Sequence, residues 1–176
     1  FQTFQWLILN QVIFNTDAEV YGAELEIESR PMDGLTLQLG MGLMEATAED
    51  IPNIAGDAVR DRDMVGAPDF NVSALARYEW AAWGGTLAVQ TSGNYQQEIW
   101  YDIQNHPISK EDGYTVVNFR TSYTTGDEAL ELYAYVNNAF EEEYKSYTFD
   151  FTGLFGFNQQ AAGLPRWWGV GARFKF

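Results

Sequence analysis

Glu24, Glu26 and Glu28 recur at every second position and are the first candidates for chemistry in this chain. Two carboxyls on one face, one holding a proton and one ionised, are what glycoside hydrolysis uses. Any acidic strand offers such a pair. The plainer expectation is therefore a wetted, lumen-lining row, or an acidic stripe that shapes the field along a passage. Asp57, Arg60, Asp61, Arg62 and Asp63 form a second charged group. Asp61 and Asp63 have the spacing of calcium ligands. Val65 stands where a third ligand belongs, however, and no Glu closes the loop, so the EF-hand pattern fails. His106 is the only histidine and cysteine is absent, which excludes thiolate zinc sites, disulfide frameworks and thiol catalysis. Gly40-Met41-Gly42-Leu43-Met44-Glu45 lacks the third glycine of a dinucleotide loop and sits inside a strand pattern. No catalytic residue, metal or cofactor is expected, and the chain is not read as an enzyme.

The net charge of −15 argues against a nucleic-acid partner, which needs a basic footprint. With 46% hydrophobic and 16% aromatic residues the chain is too apolar to stay unfolded. Its uncharged runs are broken by Gln, Asn, Thr and Gly, so no helical span of about 20 apolar residues is present. A mean hydropathy of −0.28 leaves a membrane barrel open. There only alternate residues meet lipid, and the average hides them.

Alternation is what the sequence shows best. In Trp168, Val170, Ala172, Phe174 and Phe176 every second residue is apolar, and between them lie Gly169, Gly171, Arg173 and Lys175. This is a strand with one greasy face. Ala23–Arg30, Leu35–Met44, Phe70–Trp80 and Leu130–Asn137 alternate the same way. Strands are expected at 18–31, 35–50, 67–80, 84–101, 114–125, 128–138 and 165–176, with Phe1–Phe14 left open as strand or loop. Their connections alternate between short (31–34, 81–85, 125–128) and long (50–67, 102–113, 138–165). Short turns at one end and long loops at the other characterise an outer-membrane barrel. Tyr78, Trp80 and Trp83 near one end, and Tyr95, Trp100 and Tyr101 near the other, are expected to form interfacial girdles. Phe149, Phe151, Leu154, Phe155 and Phe157 make the last long loop unusually apolar. With Asp57 and Arg60, Phe155 and Phe157 are its candidates for ligand contact. The reading is all-β: an antiparallel up-and-down transmembrane β-barrel, present in part.

Three segments resemble one family. Ala18-Glu19-Val20-Tyr21-Gly22-Ala23-Glu24-Leu25-Glu26 resembles the G-x-E strand of TonB-dependent outer-membrane receptors. Val136-Asn137-Asn138-Ala139-Phe140-Glu141-Glu142-Glu143-Tyr144 resembles their N-L-F-x-x-x-Y segment, with Ala139 in place of the usual Leu. Pro165-Arg166-Trp167-Trp168-Gly169 through Phe176 resembles their closing strand with its terminal Phe. The resemblance implies a 22-stranded parent barrel in the bacterial outer membrane, of which residues 1–176 would be a C-terminal part of seven or eight strands. Neither the plug domain nor the energy-coupling box has a counterpart here. It implies uptake of a ferric siderophore or another scarce nutrient, energised by TonB through the missing N-terminal plug. It also implies contact with outer-membrane lipid and with the barrel assembly machinery. Phe174 and Phe176 would then be the barrel-closing, assembly-signal residues, and Glu24, Glu26, Glu28 and Arg173 would line the lumen. The alternative is a complete small eight-stranded barrel with a structural or adhesive role.

Overall fold

A computed structural model describes residues 2–7, 10–52, 59–151 and 155–175, with side chains from residue 15 onward. Alternating residues build strands throughout: β1 Gln2–Leu7, β2 Asn10–Asn15, β3 Ala18–Met32, β4 Leu35–Ile51, β5 Arg60–Asp63, β6 Phe70–Ala82, β7 Gly85–Gln96, β8 Ile99–Trp100, β9 Lys110–Glu111, β10 Tyr114–Thr125, β11 Leu130–Asn137, β12 Lys145–Phe151, β13 Phe157–Ala162 and β14 Trp167–Phe174. The wall is a meander in the order β3-β4-β6-β7-β10-β11-β14, every neighbour antiparallel, with β5 added on the upper part of β4. These are the seven expected strands. Among the described residues nothing pairs β3 with β14, so the described wall is an open sheet.

The register sorts the side chains into two faces. Leu25, Met41, Val72 and Tyr95 fall in one row across β3, β4, β6 and β7. Phe119, Val136 and Trp168 fall in another across β10, β11 and β14. This face is predominantly apolar, with Ser29, Thr91 and Thr115 among its few polar members, and it is uncovered: Val170 is 75% exposed and Phe174 is exposed as well. The opposite face carries Glu24, Glu26, Glu28, Gln38, Asn71, Ser73, Arg77, Gln90, Asn118, Arg120, Glu131 and Arg173. An apolar outside and a polar inside define a membrane barrel wall. Phe70 and Trp80 lie ten residues apart on the outer face of β6. At about 3.3 Å per residue and a tilt of about 35–45°, they stand roughly 23–27 Å apart along the membrane normal, the height of the apolar band. Rings cluster at both levels. Tyr78 stacks on Trp80 (5.4 Å) and Trp83 meets Tyr123 (6.3 Å) below, while Phe70 meets Tyr95 (6.1 Å) above.

The short turns are made by residues that accept a left-handed backbone. Trp83 (φ 50°) and Gly84 (φ 76°) both have positive φ between β6 and β7, as a two-residue hairpin requires. In Asp33-Gly34, Gly34 takes φ 79°. The long connections hold structure that the alternation did not announce. The 50–67 connection contains β5, and 84–101 breaks at Gln96 so that β8 leaves the wall to pair with β9. The 138–165 connection folds into the β12–β13 hairpin. Residues of the first segment form the β1–β2 hairpin, a two-stranded sheet separate from the wall.

Candidate functional site

The inner face bears two charged groups, one on β6 and β7 and one on β10, β11 and β14. Arg77 Nε donates to Glu79 Oε1 (2.6 Å) and its guanidinium reaches Gln90 Oε1 (3.4 Å). Arg120 pairs with Glu131 (2.9 Å), which also meets Arg173 (3.5 Å), so one carboxylate serves two cations across β10, β11 and β14. The Arg120 guanidinium lies 4.2 Å from the centre of the Tyr133 ring. Tyr133 and Tyr135 lie flat over the last strand. A Cβ on Gly171 would come 2.4 Å from the Tyr133 ring, and one on Gly169 2.6 Å from the Tyr135 hydroxyl. The glycines of the closing strand leave room for these rings. Above them a hollow of about 300 Å³ is lined by Gln90, Ser92, Asn118, Arg120, Tyr135 and Trp167.

Above the wall stands a cap with a small conventional core. Ala48, Ile51 and Ile103 are buried together, with Met64 packed against them. Polar side chains close the cap. Trp100 Nε1 donates to Asp63 Oδ2 (2.9 Å), the Asp63 N–H donates to Asn105 Oδ1 (2.9 Å), and Asn105 Nδ2 returns to the Asp63 carbonyl (3.0 Å). Lys110 pairs with Glu98 (2.7 Å) and lies over the Trp100 ring. The β12–β13 hairpin rests on this cap through the turn Pro107–Ser109. Its exposed side is a run of rings in mutual contact: Tyr101 with Tyr147 (6.1 Å), Tyr147 with Phe149 (4.6 Å), Phe149 with Phe151 (5.5 Å), and Phe151 with Phe155 and Phe157 (6.4 and 5.5 Å). The Tyr101 hydroxyl donates to the Lys145 carbonyl. Burial, followed by Tyr114, Glu111 and Tyr144, pushes that phenol up to about 12, so it stays protonated.

The neck of this last loop is clamped at Asn138, 3% exposed and in the left-handed region at φ 48°. Its N–H donates to Asn118 Oδ1 (2.9 Å). Its Nδ2 donates to the carbonyls of Glu142 (2.8 Å) and Leu164 (3.1 Å), and its Oδ1 accepts the Glu142 N–H (2.8 Å). Glu141 pairs with Arg166 (2.8 Å) across the two ends of the loop. Tyr144 stacks on Tyr114 at 4.3 Å, and a Cβ on Gly163 would strike the Tyr144 ring. The segment that opens the loop thereby holds the segment that ends it.

The family model described as TonB dependent receptor-like, beta-barrel matches residues 2–139. The chain belongs to that family. Its place is the bacterial outer membrane, and the family consists of receptors, not enzymes. Among solved structures it is similar to the ferric yersiniabactin uptake receptor FyuA from Yersinia pestis, at 15% identity and a TM-score of 0.77, covering 92% of this chain and 24% of that one. It is also similar to BauA, the ferric preacinetobactin receptor from Acinetobacter baumannii (15%, TM-score 0.68, 97% and 25%). A third is the ferripyoverdine receptor of the outer membrane of Pseudomonas aeruginosa (21%, TM-score 0.66, 93% and 20%). The chain spans about a quarter or less of the length of each.

Within this receptor barrel the expected residues fall in three places. Glu24, Glu26 and Glu28 lie on the inner face at the β3 edge. Across from Glu24 and Glu26 are Gly42 and Gly40, whose bare Cα positions are covered by Asn71 and Ser73. Only Glu28 of the three has a described ion pair, with Arg30 (2.9 Å). Arg173 joins the inner network, and Phe174 lies on the outer face opposite Leu130. Phe155 and Phe157 sit in the ring cluster at 5.9 Å from each other, and Arg60 is exposed on β5, far in sequence from both. Asp57, Leu154 and Phe176 lie outside the described residues. Asp61 and Asp63 are engaged as hydrogen-bond acceptors for Asp50 N–H and Trp100, and no group of three metal-ligating side chains occurs among the described residues. Trp100 and Tyr101 belong to the cap and not to a lipid girdle. Asn138 was missed as a functional position although it lies within a recognised segment. Its four hydrogen bonds run to residues 4–26 positions away, which spacing does not reveal.

Proposed function

We propose that this chain is the C-terminal wall segment of an outer-membrane importer for a ferric siderophore or another scarce nutrient, energised by TonB through a plug region outside this sequence. The observation that carries the reading is the uncovered apolar outer face backed by a charged inner face, on a sheet whose two edges are unpaired among the described residues. Lipid tolerates no open edge, so such a wall requires further strands. On this reading Glu24, Glu26, Glu28 and Arg173 line the passage, while Phe155, Phe157, Arg60 and Asp57 face incoming ligand. Phe174 and Phe176 are read by the assembly machinery as the closing strand is added. The test is deletion of the full reading frame in the source bacterium, followed by accumulation of radioactive iron from a panel of ferric chelates. The expected result is loss of high-affinity uptake of one chelate, restored by the full gene and abolished again without TonB. Unchanged uptake of every chelate, or uptake indifferent to TonB, would sink the proposal.

A further inference from the structure

We infer that the outer aromatic face of this chain accepts a ligand that is cationic or neutral and carries planar or apolar groups, and that it disfavours polyanionic ones. The inference rests on the import reading and narrows its ligand class. Rings from Tyr101 through Tyr147, Phe149, Phe151, Phe155 and Phe157 form one contiguous surface. Phe155 and Phe157 are more than half exposed, which for six touching rings marks a binding surface.

Its occupant is set by charge. Residues 44–70, 96–114 and 138–166, the three long outer connections together with the strand ends that carry them, contain fifteen acidic and five basic residues, a net −10 of the chain's −15. The cations nearest the rings are already matched: Lys110 by Glu98 (2.7 Å), Lys145 by Glu111 (3.1 Å) and Arg166 by Glu141 (2.8 Å). Burial first, then Asp63 and Glu45 from the same connection and Glu98 from the next, raise the pKa of Asp69. An approaching polyanion meets a net repulsive field, and these three cations are already engaged, which leaves Arg60 and Arg62 on β5 against the carboxylate excess. A cation meets attraction at long range and ring faces at contact, where its charge interacts favourably with the π-system.

The experiment uses the full-length receptor in detergent and two iron chelates of similar size: a ferric trihydroxamate bearing a free amine, which is cationic, and a trianionic ferric tricatecholate. Binding is followed by quenching of intrinsic fluorescence at low and high salt. The cationic chelate is expected to bind about tenfold tighter at low salt, with the gap narrowing as salt rises. Phe155→Ala with Phe157→Ala should weaken its binding about tenfold while the barrel's heat-modifiable gel mobility is unchanged. Glu142→Gln with Glu143→Gln should narrow the preference between the chelates. Equal or tighter binding of the trianion overturns the charge inference while leaving import intact. Binding of neither chelate overturns this inference, while the import reading stands or falls on the uptake test.

Discussion

Val170 on β14 is 75% exposed, and Ile51 at the upper end of β4 is fully buried, though both are β-branched residues on one sheet. The difference lies in the solvent each expects. In the wall, apolar side chains point away from the protein into lipid, and strand pairing with an inner polar network supplies the internal order. In the cap, water surrounds the chain, so Ile51 must turn inward against Ala48 and Ile103 as in any soluble protein. β4 passes from one regime to the other within one strand, which is why its seventeen residues exceed the 9–11 a bilayer needs.

The sharpest way to test the contrast is to charge the wall. Val170→Arg places a guanidinium on the lipid face of a central part of β14, which costs about 2–4 kcal/mol near the bilayer midplane. The expected outcome is a marked fall in assembled receptor, seen as loss of the heat-modifiable band in outer membranes. An assembled level equal to wild type would show that this face does not meet lipid.

The next test moves to the loop neck. Asn138→Ala removes a buried amide and leaves the Glu142 N–H and the Leu164 carbonyl without that partner, a cost of about 1–3 kcal/mol. The effect should be confined to the last loop: faster proteolysis within 138–166 and faster exchange in β12–β13, with the β10–β11 ladder protected as before. Loss of protection through β10 and β11 would mean that the clamp holds the wall and not the loop.

The two regions also differed in how legible they were. All seven wall strands could be read from period-two alternation, because lipid outside and water inside impose that period on every residue. Most strand ends shift by up to three residues, and the largest departure comes where β7 and β8 part at Gln96, since Ile99 and Trp100 continue the apolar pattern while their partners belong to the cap. The cap was largely illegible. Its order rests on contacts between distant residues, such as Asp63 with Asn105 and Asp150 with His106, and on a small core of three apolar side chains. Loop 138–165 carried a partial signal. Its Phe residues at 149, 151, 155 and 157 were recognised as odd, and their alternation is that of the hairpin they form. The inner network was half visible. Arg173 was placed inside by alternation, but its sharing of Glu131 with Arg120 depends on register between strands far apart in sequence.

The smallest effect expected lies at the opposite end of the wall from the cap, in the turn joining β10 to β11. Asp127 Oδ1 accepts hydrogen bonds from Thr125 Oγ1 (2.6 Å) and from the Ala129 N–H (3.1 Å), while Thr125 Oγ1 accepts the Leu130 N–H (3.1 Å). The Thr125 bond first, then the Ala129 N–H, hold the Asp127 carboxyl below the usual carboxylate range. A folded-state pKa below the unfolded one contributes stability above the unfolded value. That contribution is lost as pH falls through the folded value. Protection of the Ala129 and Leu130 amides, corrected for the intrinsic exchange rate at each pH, should therefore fall on acidification below the ordinary aspartate range. Asp127→Asn should flatten that pH response while leaving assembly untouched, because the turn is exposed and its ladder continues in β10 and β11. A pH response that survives Asp127→Asn would show that the Asp127 carboxyl is not its source.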